Sequence, residues 1–297
     1  MRKLIIIIVL FAFAPSAPAQ VADSLLIRKI DSLARIIYSP LPDSVKIAAN
    51  NLIRDVLTDL LSTPQSLTFP YDSLKFAKTI TPADQSFRLI TWTIPFAEAR
   101  FGYFGFYQKI SKSGIEKVVE LSDIGDVRTT DQAFGSEKWP GAVYYKIIEG
   151  KSKSGDIFTL FGWVGAPQGR ACRVIEALTF DESGLPVFGL PVFEAASGNL
   201  QHRVIFEFTD QIPFHLAYEQ HRIPGKGRKK SWMIVYNRLG GNDPALGRFF
   251  NAPVPSYSTF DGFLFSNQRW KPVKEIDTRV TSKSGQMPKE TGLFPEK

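Results

Sequence analysis

Arg173-Val-Ile-Glu-Ala-Leu-Thr-Phe180, then Asp181-Glu-Ser-Gly184, then Leu185-Pro-Val-Phe188 is the stretch that decides the fold class. A β-branched and aromatic run meets a four-residue turn, and a second apolar run follows from Pro186 to Phe193. Gly184 supplies the positive φ that short hairpin loops need. Outward from this hairpin the pattern recurs. Ser86–Ile94, Phe101–Ile110, Ala142–Glu149, Ile157–Trp163, Arg203–Thr209, Phe214–His221, Ser231–Arg238, Phe260–Phe265 and Trp270–Ile276 are short β-like runs divided by turn residues. No helical segment lies between them, which argues for antiparallel pairing and against alternating strand–helix units. Phe101-Gly-Tyr-Phe-Gly-Phe-Tyr107 is apolar on both faces, so such a strand belongs inside a sandwich, a closed barrel or a propeller blade. The expected fold is mainly β, sandwich or barrel-like. A propeller is the alternative, since no repeat of about 40–50 residues is clear.

Ahead of Leu67 the period is helical. Leu26, Ile30, Leu33 and Ile37 share one face, and Val45, Ala49, Leu52, Val56 and Leu60 share another. Asp43 or Ser44 is placed to cap the second helix, and Pro64 ends it. Residues 20–64 are therefore expected to form a two-helix hairpin on a mainly-β domain spanning 65–280, with a flexible tail at 281–297. A homodimer through that hairpin is the sharper expectation for its apolar face.

Arg2 and Lys3 precede the apolar run Leu4–Ala14, and small residues stand at Ala17 and Ala19. This is the pattern of a secretory signal over residues 1–19, cut before Gln20. Eleven apolar residues reach roughly 16 Å as a helix, about half of a bilayer core, so the segment reads as a cleaved signal and not as a membrane anchor. No later stretch is apolar enough to span a bilayer, so no membrane span is expected in the mature chain. No Cys lies near the cut, so a lipoprotein anchor is not expected. The protein is expected to be periplasmic or secreted. The formal net charge of +7 falls to +5 without Arg2 and Lys3, and much of the excess sits in Arg222–Lys230 and the tail. That is too local for a nucleic-acid surface. The single Cys, Cys172, excludes an internal disulfide and reads as a buried thiol in a strand.

Four groups of candidate site residues emerge. In Phe214-His-Leu-Ala-Tyr-Glu-Gln-His221, strand alternation puts His215, Glu219 and His221 on one face, a set suited to a metal or to a base with its orienting partner. A local register offers a structural account of the same face. A three-residue loop at 210–212 would pair Phe208 with Phe214, Glu207 with His215 and Arg203 with Glu219. Second, Arg222-Ile-Pro-Gly-Lys-Gly-Arg-Lys-Lys230 carries Lys226 and Arg228 in a long hairpin loop suited to an anion. It lacks the spacing of a phosphate-binding loop. Third, Asp123-Ile-Gly-Asp126 reads as a turn with a helix cap in preference to a calcium loop. Fourth, Trp139 and Trp163 are flanked by Gly and Pro and could present rings to a sugar or peptide. No metal and no cofactor are expected, since the motifs that carry hydrolase, zinc, dinucleotide or redox chemistry are missing.

Thr81-Pro-Ala-Asp-Gln-Ser-Phe-Arg-Leu-Ile-Thr-Trp92 resembles a recurrent segment of uncharacterised exported proteins of the Bacteroidetes. Trp139–Tyr145, Phe158–Trp163, Leu178–Gly189 and Met233–Tyr236 followed by Leu239 are similar to further segments of that family. The resemblance covers most of residues 81–277 and implies an exported protein of no assigned activity, so it brings no catalytic residues. The function expected from the sequence is a non-catalytic binding or structural module of the cell envelope, with a glycan or envelope protein as partner. A carboxylate-based hydrolase acting on glycan or envelope material is the alternative.

Overall fold

The computed structural model describes residues 17–125, 129–152, 155–166, 168–240 and 252–278. Residues 1–16 of the expected signal and the whole 281–297 tail lie outside the described residues. Helices α1 (Ala17–Ile37) and α2 (Asp43–Leu61) come first. Strands β1 (Lys78–Ile80), β2 (Phe87–Pro95), β3 (Phe101–Ser111) and β4 (Gly114–Ser122) form a first sheet in sequence order. Strands β5 (Phe134–Gly135), β6 (Val143–Ser152), β7 (Gly155–Val164), β8 (Arg170–Phe180) and β9 (Pro186–Phe188) build a second, ordered β5-β9-β8-β7-β6. After β10 (Phe193–Glu194) and β11 (Leu200–Gln201), strand β12 (Arg203–Thr209) returns to the second sheet beside β8. Strands β13 (Leu216–Arg222), β14 (Lys230–Gly240), β15 (Val254–Ser266) and β16 (Arg269–Val273) complete a third sheet, ordered β11-β10-β16-β15-β14-β13.

Among the described residues the strands pair antiparallel except β10 with β16, and no sheet closes into a barrel. The hairpin that set the fold class forms as read. Asp181 Oδ1 accepts from the amides of Ser183 and Leu185, both at 2.9 Å, and Gly184 takes φ +71°.

The doubly apolar strands are explained by layering. Ile90, Trp92, Ile94 and Phe106 of the first sheet face the helices, burying Ile30, Ile37, Ile53, Leu57 and Leu61. Phe87, Leu89, Tyr103 and Tyr107 face the second sheet, against Tyr144, Phe158, Leu160, Val174 and Leu178. The opposite face of the second sheet, with Phe161, Ile175, Ala177 and Phe206, meets Ile234, Phe263 and Trp270 of the third. The order is helices, sheet, sheet, sheet. A strand in either inner sheet is covered on both sides and must be apolar on both. The outer face of the third sheet keeps only a small cluster, Met233, Val235 and Ile276.

Two local expectations are corrected. The buried face of α2 runs through Lys46, Ala49, Asn50, Ile53, Leu57, Leu60 and Leu61, leaving Val45 41% and Leu52 52% exposed. Two polar residues disguised it. Lys46 donates to the carbonyl of Pro95 at 2.7 Å, and Asn50 accepts from Trp92 Nε1 at 2.8 Å, so both are buried with partners in the first sheet. No side-chain cap forms at α2, because Asp43 turns away to the amide of Ala97 and to Arg100, both at 3.2 Å. The exposed apolar residues of the helices are the surface on which the expected homodimer would rest.

The second correction is the register of β12 with β13. These strands do not pair: β12 lies along β8 and β13 along β14, in different sheets. The aromatic faces still meet, with Phe208 stacked on Phe214 at 4.4 Å and Phe206 at 5.3 Å from Phe214. The contact is made between layers instead of across a ladder. Residues 210–215 carry the chain from one sheet to the next, which buries both apolar faces against each other.

Candidate functional site

The structure gathers most of the sequence-derived candidates in three places and leaves Glu207, Trp163 and Asp123 outside them. Arg203 sits in none of the open ones. Its expected partner Glu219 is replaced by Glu176, directly opposite on β8, at 3.0 Å from Nε, with both side chains buried. The guanidinium also donates to the carbonyls of Thr129 (2.8 Å), Gln132 (3.0 Å) and Phe188 (3.3 Å) and lies over the Phe134 ring. Tyr144 donates its hydroxyl to Glu176 and accepts from Trp139 Nε1 at 3.1 Å. Burial first, and the adjacent Glu176 carboxylate second, hold the Tyr144 phenol well above its usual range, so it remains a donor. Trp139, offered by the sequence as a ligand-facing ring, is fully buried in this network, its ring tilted at 44° to that of Phe188 at 6.2 Å. The cluster pins residues 129–134 and β9 to the second sheet. Its polar groups are engaged internally, so it is a core device.

His215, Glu219 and His221 do share a face, and they converge. Glu219 Oε2 lies 2.9 Å from His221 Nε2, and Oε1 lies 3.5 Å from His215 Nε2. A carboxylate only accepts, so His221 carries its proton on Nε2. The hydrogen bond from His221, with the charges of His215, His221 and Lys146, holds Glu219 below the usual carboxylate range against the opposing effect of burial. His215 is pushed down, mainly by burial and further by His221 and Lys146, although Glu219 opposes this. Its ring also meets the edge of Phe260 at 5.8 Å. Both imidazoles point Nε2 at the carboxylate rather than at a common empty point. Among the described residues no group of three His, Cys, Asp or Glu side chains is arranged to hold a metal ion. Glu207, once expected beside His215, instead faces Arg170 at 3.8 Å.

The third place is the β13–β14 hairpin. Its register pairs Tyr218 with Ile234, Gln220 with Trp232 and Arg222 with Lys230, all on one face. Moving outward along that face, the pairs change from apolar core to aromatic and amide, then to two cations. Trp232 is 53% exposed and lies 5.2 Å from the Tyr218 ring at 31°. The loop beyond is ordered by its own backbone. Ile223 N bonds Lys229 O at 2.9 Å and Lys226 N bonds Ile223 O at 3.0 Å, while Gly225 and Gly227 take φ +72° and +60°. Lys226 and Arg228 are exposed on this tip. Among the described residues, Arg222, Lys226, Arg228, Lys229 and Lys230 make no ion pair.

The remaining candidates are structural. Trp163 is half-buried edge-on to Phe101 at 5.4 Å. Asp123 accepts from the amides of Tyr103 (2.9 Å) and Gly125 (2.8 Å), making a turn directly after β4 instead of capping a helix. Asp126 lies outside the described residues. Cys172 is fully buried in β8, as a core thiol should be. Sequence reasoning missed Trp232, Tyr218 and Gln220 as surface groups. The available signal was the alternation Ser231-Trp-Met-Ile-Val-Tyr236 next to a basic loop, which puts Trp232 on the same face as Lys230.

Neither a family model nor a curated protein matches the chain.

Proposed function

We propose that the chain is an exported, non-catalytic binding module of the cell envelope that holds a glycan on the β13–β14 face. The observation that carries this reading is Trp232, a large ring exposed on a regular strand and backed by Tyr218. An indole left in water at this cost in apolar hydration has a use when a flat apolar surface covers it, and sugar rings offer one. The strand supplies rigidity, so little conformational entropy is lost on binding. The polar groups of the Arg203 cluster are already engaged inside the protein, whereas the hairpin sets an exposed indole beside an exposed amide and exposed cations.

The test is a glycan panel read by tryptophan emission. Trp92, Trp139 and Trp270 are buried, so acrylamide quenching reports mainly Trp232, with Trp163 contributing less. A bound glycan should protect Trp232 and shift its emission to the blue, and Trp232→Ala should abolish both changes and retention. Binding that survives Trp232→Ala sinks the assignment of the face. The same samples test the hydrolase alternative, because cleavage would release reducing ends. Amino-terminal sequencing of the exported protein should begin at Gln20 if the signal is cut as expected.

A further inference from the structure

We infer that the glycan bound on this face is acidic, with one sugar ring over Trp232 and its anionic substituent received between Arg222 and Lys230. This rests on the reading of the hairpin as a binding surface. The main observation is the register: Arg222 stands directly opposite Lys230. Like charges at facing positions of a sheet are destabilising, so the pair works against the fold until an anion lies between the two groups. Lys226, Arg228 and Lys229 add three more cations at the tip, and none of the five makes an ion pair among the described residues. A surface that carries this uncompensated field attracts anions before any contact forms.

Spacing selects the size of the ligand unit. Same-face neighbours on a strand are about 7 Å apart, so the cation pair begins one pyranose length beyond the Trp232 ring. Gln220, opposite Trp232, places a carboxamide beside the stacked ring where hydroxyls need donors and acceptors. A ring on Trp232 thus presents its exocyclic carboxylate or sulfate to Arg222 and Lys230, where Arg222 can bind it through two parallel donors.

Two other anionic partners fit less well. A membrane surface calls for large apolar side chains at the leading edge, and the tip Pro224-Gly-Lys-Gly-Arg228 offers only the small ring of Pro224, while Ile223 packs inward against the Met233 cluster. Single-stranded nucleic acid calls for successive stacking platforms along a groove, and on the described hairpin Trp232 is the one exposed ring, with Tyr218 half-covered behind it and the exposed Tyr257 near the opposite end of the neighbouring strand β15.

The experiment uses the mature chain with polygalacturonate, alginate and chondroitin sulfate. Controls are methyl-esterified polygalacturonate, neutral galactan and dextran, vesicles containing 30% phosphatidylglycerol, and a poly-dT oligonucleotide. At least one acidic polymer should bind, weakening about tenfold or more as sodium chloride rises from about 50 to 300 mM. Esterification should weaken polygalacturonate binding about tenfold where that polymer is the one bound. Arg222→Gln with Lys230→Gln should bring acidic-polymer binding down to the level of the neutral control, with the near-ultraviolet circular dichroism unchanged. Trp232→Ala should remove binding to acidic and neutral polymers alike. If neutral or esterified polymers bind as well as acidic ones and depend on Trp232, the acidic assignment fails and the glycan module stands. If no glycan binds, both readings fail. Preference for the vesicles or the oligonucleotide overturns the inference in favour of that partner.

Discussion

Arg203 with Trp139, and Arg222 with Trp232, are the same two residue types placed in opposite conditions. In the inner sheet Arg203 directs its donors to Glu176 and three carbonyls, and Trp139 gives its Nε1 to Tyr144. On the outer hairpin Arg222 faces another cation and Trp232 faces water. The first arrangement holds the protein together. The second leaves cations without counter-ions among the described residues, beside a half-exposed ring, the features on which the proposed glycan face rests. Residue type does not separate a structural Arg–Trp cluster from a binding one; what separates them is whether the rest of the fold has already satisfied the donors.

The contrast can be broken most sharply at the buried ion pair. Arg203→Met alone should destabilise the protein by about 3–5 kcal/mol, because Glu176 is left charged and without its partner in a dry layer. Adding Glu176→Leu should recover much of that loss. Urea unfolding of both variants measures it, and a single mutant as stable as wild type would refute the core role.

The Trp residues give the next test. Trp139→Ala should cost about 3–5 kcal/mol through the cavity and the lost hydrogen bond to Tyr144. Trp232→Ala should change stability by no more than about 0.5 kcal/mol while removing ligand retention. Equal losses for the two variants would erase the distinction.

A smaller effect separates the two faces of the hairpin itself. His215 has a depressed pKa in the folded state, so the unfolded chain binds the proton first. Its contribution to stability is present above the ordinary His pKa, about 6.5, and falls away as pH drops through the folded value. Glu219 is also depressed and loses its contribution at lower pH, below the ordinary range of about 4.3. The melting temperature should decline from pH 7 towards pH 3, with His215→Gln flattening the upper part of the decline and Glu219→Gln the lower. An unchanged slope in both variants would mean that this cluster does not titrate as its geometry implies. The smallest expected effect is at the loop tip: Lys226→Gln with Arg228→Gln should weaken acidic-glycan binding only two- to threefold, because these groups contribute field without a defined contact.

The legible parts of the fold were those with a local signal. The Asp181–Gly184 turn, the β8 strand around Cys172 and the Arg222–Lys230 hairpin follow from alternation and turn chemistry, and all three form. Strand β4 escaped because Gly114-Ile-Glu-Lys-Val-Val-Glu-Leu-Ser122 alternates poorly, being an edge strand with a largely half-exposed pattern. Its best clue was Ser113-Gly114, where Gly114 takes φ +120°. The inner face of α2 was misread by one position because Lys46 and Asn50 look like surface residues until Pro95 and Trp92 arrive to satisfy them. Of the candidate site, the His215–Glu219–His221 face and the basic loop were visible, but the exposed ring of Trp232 on the opposite face of the hairpin was not.

By itself the sequence determined an antiparallel, mainly-β chain with two helices ahead of it, because side-chain period and turn preference are properties of a few consecutive residues. Only the tertiary structure decided that β12 and β13 belong to different sheets, that Arg203 answers Glu176, and that Trp232 rather than Trp139 meets solvent. A strand pattern states which faces are apolar but not which apolar face covers which. That choice is made by burial summed over all four layers, and the polar residues left uncovered at the end of that sum are the ones available to a ligand.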